Sequence, residues 1–254
     1  MYQTVKVAET STISPQYRRI VIQSPEMAQA SQPGQFMMLK AWEGTVPFLM
    51  RPISINDADP AAGTVSFLYK VVGEGTALMA KLQKGDSLQA LGPLGHGFPL
   101  AAGAKRIAVI GRGIGIAPLR LLARRAVEQG TEVYAYLSAK EEQQLFDRRE
   151  LEDLGVILRT TCDAKVNVTA FFAEDLEKLT FDAAYSCGSK RLMGEMHQLH
   201  LRHDFESYVS LEEHMACGIG ACKGCVCRTR GEDGGERYET VCQCGPVFPT
   251  ERIV

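Results

Sequence analysis

Short apolar runs separated by polar turns make up the first hundred residues. The runs are rich in Val, Ile, Phe and Tyr, and they cover 4–14, 17–24, 34–42, 64–73 and 86–95. Runs of this length, bounded by Gly, Pro, Asn and Asp, are typical of β-strands. Several such strands in succession predict an antiparallel barrel or sandwich, and we expect a β-barrel domain over residues 1–100.

A different pattern, in which strands alternate with helices, begins after residue 104. The apolar segment 105–113 is predicted to be a buried strand, and apolar residues at helical spacing follow it up to a stop signal at Gly130. Further strands are predicted at 131–138, 156–162 and 181–189, and further helices at 145–155, 167–179 and 190–203. This alternation predicts a parallel sheet with crossover helices, so we expect an α/β domain over 105–205, after a linker at 99–104.

The remaining segment, 206–254, is short and rich in cysteine and glycine. Six of the eight cysteines lie between positions 217 and 244. A segment of this size cannot bury a large core by itself, so something else must hold it together. We expect it to form a third unit, built around the cysteines.

The bulk composition limits the classes of function. The chain has 254 residues, 45% of them hydrophobic, and a formal net charge of −2, which is typical of a globular protein with room for two domains or more. Near-neutral charge offers no electrostatic surface for nucleic acid or for an anionic membrane. No apolar run is long enough to span a membrane, and the first residues lack the apolar segment of a signal peptide. We therefore expect a cytoplasmic protein, in which clustered cysteines favour metal or redox chemistry over disulfides.

The spacing of the clustered cysteines predicts an iron–sulfur centre. Cys217, Cys222 and Cys225 follow the pattern C-x4-C-x2-C, and Cys242 lies farther along the chain. This spacing with a distant fourth cysteine is typical of plant-type [2Fe–2S] centres. A zinc site is the main alternative, although repeated C-x2-C pairs are more usual there. A disulfide-linked tail is a further alternative, which a reducing compartment disfavours.

The residues around these cysteines fit the same interpretation. Four thiolates must converge from a tight loop, and Gly218, Gly220 and Gly224 permit the unusual φ values and close backbone approach that such a loop requires. Cys227 follows in a predicted strand and is interpreted as a buried structural thiol. Cys244 lies two residues beyond the distant ligand and competes with it for that role.

A glycine-rich turn follows the first strand of the predicted α/β domain. Gly111, Gly113 and Gly115 lie in the segment GRGIGIAPLR and open a helix, so that a pyrophosphate could reach the helix N-terminus. A purely structural turn between strand and helix is the alternative. No Asp or Glu ends the second strand to hold a ribose hydroxyl, and Ser138 and Lys140 stand there instead. The segment therefore predicts a nucleotide site and leaves the choice between NAD and NADP open.

Two motifs in the barrel half have the chemistry of phosphate binding. Arg51 and Ser54 in RPISI could act together as donors to a phosphate. Gly73, Gly75 and Thr76 in YKVVGEGT could form an anion-binding turn with free N–H groups. Taken alone, each motif is better explained as an ordinary surface arginine or a hairpin turn.

In combination, the motifs resemble a known superfamily. A barrel with R-x-x-S followed by a domain with G-x-G-x-x-x-A-P resembles the ferredoxin–NADP reductases. With the cysteine segment included, the whole chain resembles the family of electron-transfer subunits of NAD-linked (class 1B) dihydroorotate dehydrogenases. The segments that carry this resemblance are RPISI at 51–55, GEGT at 73–76, MACGIGACKGCVC at 215–227 and VCQCGPVF at 241–248.

The resemblance implies a flavin site, a nucleotide site and a cluster at definite residues. The implied FAD contacts are Arg51, Pro52, Ile53, Ser54, Leu68, Tyr69, Lys70, Gly75 and Thr76. The glycines of the turn, Gly111, Gly113 and Gly115, would contact NAD, with NADP not excluded. The implied [2Fe–2S] ligands are Cys217, Cys222, Cys225 and Cys242, since Cys242 fills the family's V-C-x-x-G-P position.

Three positions depart from the family pattern. Cys244 stands where relatives are expected to have an acidic residue, and Ser189 replaces the proline of C-G-P. Pro118 keeps the proline of G-x-G-x-x-x-A-P, whereas close relatives often have a different pair of residues there. These departures leave room for a paralogue that serves another partner.

The resemblance implies an oxidoreductase subunit of pyrimidine biosynthesis. A partner catalytic subunit with FMN would oxidise dihydroorotate to orotate, and this chain would pass the electrons through [2Fe–2S] and FAD to NAD+, with two copies of each chain in the complex. FAD is needed because a hydride moves two electrons and a cluster moves one. No His/Asp/Ser constellation for hydrolysis is present, so no catalytic side chain is predicted. The alternatives are a related subunit of another dehydrogenase, hydrogenase or sulfide-linked complex, and a non-catalytic, zinc-stabilised nucleotide-binding regulator.

Overall fold

Antiparallel strands form the first part of the structure, a computed structural model that describes residues 1–162, 166–231 and 233–253. The seven strands of this sheet pair in the order β4-β3-β7-β1-β2-β6-β5, and β4 also contacts β6, which curls the sheet. They are β1 (Tyr2–Ser14), β2 (Tyr17–Gln23), β3 (Phe36–Lys40), β4 (Arg51–Ser54), β5 (Asp57–Asp59), β6 (Thr64–Lys70) and β7 (Ser87–Leu94), with the helices α1 (Pro25–Ala30) and α2 (Glu74–Met79) between them. The expected all-β half is confirmed.

Alternation of buried and less buried residues explains this sheet. Ile20 and Ile22 on β2, and Val5 and Val7 on β1, face one core because side chains two residues apart share a face. Helix α1 begins where Ser24 accepts a hydrogen bond from the N–H of Met27, with proline at its first position.

A second, mostly parallel sheet follows, in the order β10-β9-β8-β11-β12-β15. Its first five strands are β8 (Arg106–Arg112), β9 (Glu132–Ser138), β10 (Ile157–Thr161), β11 (Ala183–Cys187) and β12 (Glu206–Ser210). The helices are α3 (Arg120–Glu128), α4 (Arg148–Asp153), α5 (Val168–Leu176) and α6 (Lys190–His200), with short 3-10 helices at Gly113–Leu119 and Glu142–Gln144. Strand order reverses between β8 and β11, which is where open α/β sheets bind their ligands.

The helix after the glycine turn begins later than the sequence suggests. Residues Gly113–Leu119 form a 3-10 helix, and the α-helix starts only at Arg120. Pro118 has no N–H to donate, and its ring disfavours an α-helical turn before it. The turn therefore opens into a tighter helix than expected.

The cysteine segment is built onto both sheets. It contains β13 (Val226–Arg230), β14 (Glu236–Thr240), the short helix α7 (Val241–Cys244), β15 (Val247–Pro249) and a 3-10 turn at Thr250–Arg252. Strand β12 pairs with β11 in parallel and with β15 in antiparallel, so the parallel sheet continues beyond residue 205. The segment obtains its core by packing Cys225, Val241 and Phe248 against Phe36 and Met38 of the first sheet.

A buried carboxylate joins the two sheets. The side chain of Asp147, which precedes α4, is 0% exposed and pairs with Arg19 of β2. Asn56, which follows β4, donates its side-chain N–H to Asp147 Oδ2 at 2.7 Å. Burial raises the pKa of Asp147, while Arg120 and Arg19 act in the opposite direction. Because a buried charge needs these partners, the network fixes how the two parts sit against each other.

Candidate functional site

One cleft gathers most of the residues expected to contact FAD. It has a volume of about 340 Å³ and lies where the two sheets meet. Strands β4 and β6 form one side, and the 3-10 helix Gly113–Leu119 forms the other. The lining residues are Arg51, Pro52, Ile53, Ser54, Leu68, Tyr69, Lys70, Val72, Thr76, Ile114, Ala117, Pro118 and Glu212.

Arg51 is held against the turn that contains Gly75. Its guanidinium donates to the carbonyl of Leu49 and lies 5.4 Å from the ring centre of Trp42. A Cβ added at Gly75 would lie 2.6 Å from Arg51 Nε, so the absence of a side chain makes room for the guanidinium. The two phosphate-binding motifs, which are distant in sequence, therefore meet at one wall of the cleft.

Thr76 organises this turn through its hydroxyl. The Oγ1 atom accepts from the N–H groups of Val72 at 3.0 Å and Gly73 at 3.2 Å, and it donates to the carbonyl of Gly73 at 2.9 Å. These bonds fix the N-terminus of α2, where backbone N–H groups lack intrahelical partners. The hydroxyl of Thr76 thus shapes the cleft wall by internal bonds.

Gly113 and Gly115 allow the turn after β8 to pack closely against the carboxyl edge of the second sheet. Gly113 has φ +55°, in the left-handed region that favours glycine. A Cβ at Gly115 would lie 2.3 Å from the carbonyl oxygen of Cys187, so this strand end approaches the turn directly. The neighbours Arg112 and Ile114 line the adjacent clefts, whereas the glycines themselves do not.

A second cleft lies over the carboxyl ends of β8 and β9. This is the edge of a parallel sheet at which dinucleotides bind. Its described lining is Arg112, Ser138, Ala139, Lys140, Val166, Asn167, Val168, Ser189, Arg191, Leu192 and Glu195. We refer to this set as the nucleotide cleft. It brings together Arg112 at the end of β8, Ser138 at the end of β9 and Lys140 just beyond β9.

Glu212, an exposed residue that no sequence motif singled out, lies at the flavin cleft. Glu212 follows β12, and its Oε1 atom lies 3.8 Å from Cys187 Sγ at the end of β11. Desolvation of its carboxyl group raises the pKa of Glu212, and burial together with this carboxyl group raises the pKa of Cys187. The sequence could have indicated this contact, because Cys187 and Glu212 lie at or just after the carboxyl ends of neighbouring parallel strands, which meet at one edge of the sheet. Glu212 therefore places a carboxyl group with a raised pKa where the flavin cleft meets that edge.

The four expected cluster ligands lie in two pairs. The thiols of Cys217 and Cys222 interact with each other, as do those of Cys225 and Cys242. Cys225 and Cys242 are each 2% exposed, whereas Cys222 is exposed and Cys217 half-buried. Within the described ranges, no group of three or more His, Cys, Asp or Glu side chains is placed to hold a single metal ion. Two thiol pairs suit a centre with two irons better than one tetrahedral zinc.

Backbone N–H groups point at the sulfurs, as an anionic cluster requires. Cys242 Sγ accepts from the N–H of Gly220 at 3.1 Å, and Cys225 Sγ accepts from that of Cys242 at 3.4 Å. Cys217 Sγ accepts from the N–H of Cys222 at 3.4 Å. This N–H of Cys222 is the main reason that the pKa of Cys217 falls to about 6. The donor set therefore fits thiolate ligands.

The loop conformation differs from the expectation at one glycine. Gly218 and Gly220 adopt φ +73° and +78°, but the third left-handed residue is Lys223, at φ +57°, and not Gly224. A Cβ at Gly224 would lie 3.5 Å from Cys222 Sγ, an ordinary van der Waals distance, so neither φ nor space requires glycine there.

The two remaining cysteines of the segment lie outside the pairs. Cys227 is half-buried on β13, where burial raises its pKa to about 11. Cys244 is exposed at the end of α7. Because Cys242 is the residue that pairs with Cys225, the geometry favours Cys242 as the fourth ligand.

Comparison with known proteins first defines the class. Residues 4–98 match the oxidoreductase FAD-binding domain, and residues 212–254 match the iron–sulfur cluster binding domain of dihydroorotate dehydrogenase B. An NADH-dependent reduced ferredoxin–NADP oxidoreductase studied for electron bifurcation has TM-score 0.84 at 24% identity, over 98% of this chain and 89% of that one. A ferredoxin–NADP+ reductase of Neisseria gonorrhoeae, solved with FAD and NADP, has a TM-score of 0.62 at 20% identity. The match covers 80% of this chain and 92% of that one. The chain is an iron–sulfur flavoprotein with the ferredoxin–NADP reductase fold.

Full-length relatives then define the family. The dihydroorotate dehydrogenase B (NAD(+)) electron transfer subunits of Bacillus mycoides (strain KBAB4) and Bacillus cereus (strain B4264) are each 34% identical over 256 residues, covering 99% of this chain and 98% of theirs. The chain belongs to this family of electron transfer subunits. The resemblance, the fold class and the FAD and iron–sulfur cofactors expected from the sequence are confirmed. Among the described helices, none is both long and apolar enough to cross a membrane.

Proposed function

We propose that the chain passes electrons from a partner that oxidises dihydroorotate to orotate on FMN, and that NAD+ receives them. The name carried by its full-length relatives supports this proposal. We further propose two copies of each chain in the complex, and the cytoplasm as the compartment. All eight cysteines are free, which is usual for proteins of reducing compartments.

The residues proposed to hold the cofactors are those expected from the sequence. For FAD they are Arg51, Pro52, Ile53, Ser54, Leu68, Tyr69, Lys70, Gly75 and Thr76; for the pyridine nucleotide Gly111, Gly113 and Gly115; and for the cluster Cys217, Cys222, Cys225 and Cys242. When bound, these groups interconvert single-electron and hydride transfer. The division into 1–100, 105–205 and 206–254 stays a proposal, with β12 and β15 extending the second sheet.

The observation that carries the proposal is the orientation of the two thiol pairs. The inner pair, Cys225 and Cys242, packs with Phe36 and Met38 of β3. In the neighbouring strand β4, Ser54 lies opposite Phe36 and Pro52 lies opposite Met38, and both line the flavin cleft. The outer pair includes the exposed Cys222. The cysteine loop thus connects the back of the flavin cleft to the protein surface, where a partner can dock.

Each part of the flavin cleft has a role that follows from its chemistry. Arg51 offers a fixed positive charge and several donors to a phosphate, because Trp42 and Leu49 hold its guanidinium. Leu68 and Tyr69 are almost fully buried and keep water out of the cleft floor. Glu212 offers a carboxyl group whose pKa is raised by desolvation, beside Cys187 at the end of β11.

Co-purification tests this function. The chain is co-expressed with an FMN-containing dihydroorotate-oxidising subunit and purified without oxygen, and dihydroorotate-dependent reduction of NAD+ is followed at the NADH absorbance. The matched variant is Cys242→Ser, for which we expect the complex to oxidise dihydroorotate with a dye acceptor but not with NAD+. A complex that reduces NAD+ equally well with Cys242→Ser, or a wild-type chain that binds no such partner, would contradict the proposal.

A further inference from the structure

Asn56 lies where the two sheets meet, two residues beyond the end of β4. Strand β4 lines the flavin cleft, and Asn56 itself is 0% exposed. The N–H of Asn56 donates to the carbonyl of Ser66 on β6 at 2.9 Å, which fixes the residue to the first sheet. The other polar atoms of Asn56 bond to residues of the α/β part of the chain, so this residue joins the two sides of the cleft.

The side-chain amide of Asn56 holds the cleft wall that comes from the α/β part. Its nitrogen donates to the carbonyl of Ala117 at 3.2 Å and to Asp147 Oδ2 at 2.7 Å, which uses both of its hydrogens. Its oxygen accepts from Arg120 Nη1 at 3.4 Å. Because a buried amide must keep its groups paired, the position of Ala117 is tied to that of Asn56.

The segment held in this way is the 3-10 helix Gly113–Leu119 with the start of α3. Ala117 lies within this 3-10 helix and lines the flavin cleft together with Pro118. Beyond the helix, the N–H of Leu121 donates to the main-chain carbonyl of Asn56 at 3.1 Å. The 3-10 helix begins at the glycine turn proposed for the pyridine nucleotide, so Asn56 sets how far that turn lies from β4.

We infer that Asn56 is a positioning residue, which holds the nucleotide turn at the distance from FAD that hydride transfer requires. The inference rests on the proposed function, because it needs a pyridine nucleotide at the turn after β8. Misplacing reactants by about 1 Å can slow a reaction about hundredfold. The residues proposed for FAD on β4, β6 and α2 stay in place when the side chain of Asn56 is shortened.

Asn56→Ser tests this role in the purified full-length chain with its cofactors bound. A serine side chain is too short to reach Ala117 and Asp147, whereas the main chain can still bond to Ser66 and Leu121. Rapid mixing with saturating NADH, which gives up a hydride and leaves as NAD+, measures the rate of flavin reduction. We expect this rate to fall about ten- to hundredfold. The affinity for FAD should change by less than about threefold.

Hydrogen exchange of the flavin-free chain gives a second readout that needs no turnover. Amides of the segment 113–121 should exchange faster in Asn56→Ser than in the wild type, because the wall has lost its contact with the first sheet. Amides of β4 and β6 should exchange at unchanged rates.

The matched control is Arg124→Gln, which removes another contact between α3 and the first sheet. Arg124 donates through Nη2 and Nε to Asp57 Oδ1 at 2.8 and 3.0 Å, and both residues lie outside the lining of the flavin cleft. This variant should lower the melting temperature and leave both the rate of flavin reduction and the exchange of 113–121 unchanged.

The outcomes separate this inference from the proposed function. Flavin reduction in Asn56→Ser at the wild-type rate, or changes in rate and exchange that Arg124→Gln reproduces, would overturn the positioning role. Loss of FAD from Asn56→Ser would overturn it as well, since the residue would then act on the flavin and not on the turn. A wild-type chain whose flavin NADH does not reduce would contradict the proposed function, and with it this inference.

Discussion

Substitution of Gly75 by alanine tests how the barrel holds FAD. The added Cβ would lie 2.6 Å from Arg51 Nε, 2.7 Å from Cζ and 2.8 Å from Nη2. Carbon atoms do not approach other heavy atoms this closely, so the guanidinium must move. It is the far end of a flexible side chain, so the backbone of both segments can stay in place.

The expected loss is therefore one of affinity and not of stability. Hydrogen bonds to charged groups contribute about 1.5–3 kcal/mol each, and each 1.4 kcal/mol corresponds to about tenfold in affinity. Displacing Arg51 should weaken FAD binding about ten- to hundredfold. The melting temperature of the flavin-free chain should change by less than about 3 °C, which corresponds to about 1 kcal/mol at this size.

Fluorescence titration of flavin-free protein with FAD measures this effect. The matched control is Gly73→Ala on the same turn, where an added Cβ meets nothing within 4 Å and φ is −167°. Gly73→Ala should bind FAD as the wild type does. If Gly75→Ala binds FAD as tightly as Gly73→Ala, Arg51 is not a phosphate ligand and the assignment of this cleft wall is wrong.

Three further outcomes follow from the geometry. Cys242→Ser should lose iron and visible absorbance, because Cys242 pairs with Cys225, whereas Cys244→Ser should keep both; the reverse result would reassign the fourth ligand. Gly115→Ala places a Cβ 2.3 Å from the carbonyl oxygen of Cys187. It should lower the free energy of unfolding by about 1–3 kcal/mol. An unchanged melting temperature would contradict the close packing of the turn. The pKa of Cys217 is lowered to about 6, so the rate of its alkylation in metal-free protein should rise as pH increases through about 6 and level off above. A midpoint near pH 9 would show that the N–H donors have no effect on this thiol.

Local patterns were sufficient to predict the two sheet types and most of the longer strands and helices. They did not predict the short elements of the first sheet, which are Pro25–Ala30, Arg51–Ser54, Asp57–Asp59 and Glu74–Met79. Apolar alternation in β1 and β2 and the strand–helix alternation after residue 104 are visible in the sequence itself. The spacing of the cysteines likewise predicts an iron–sulfur centre, because the ligands of a plant-type cluster come from one short loop and one distant position. These features depend on neighbours in the chain.

Features that depend on distant pairing could not be predicted in this way. Strand β12 resembles the start of a separate segment, and its place beside β11 follows only from the assembled sheet. The contact between Arg51 and Gly75 joins two turns that no local pattern connects. The raised pKa of Glu212 comes from desolvation of its carboxyl group, which depends on the packing of residues that are distant in the sequence.

The cofactor content of the anaerobically purified chain tests the central claim most directly. The account predicts one FAD and two irons per chain, with flavin and iron–sulfur absorbance together, because the described residues form one flavin cleft and one set of two thiol pairs. Zinc bound without iron or flavin would contradict the account and would indicate a zinc-stabilised nucleotide-binding protein instead.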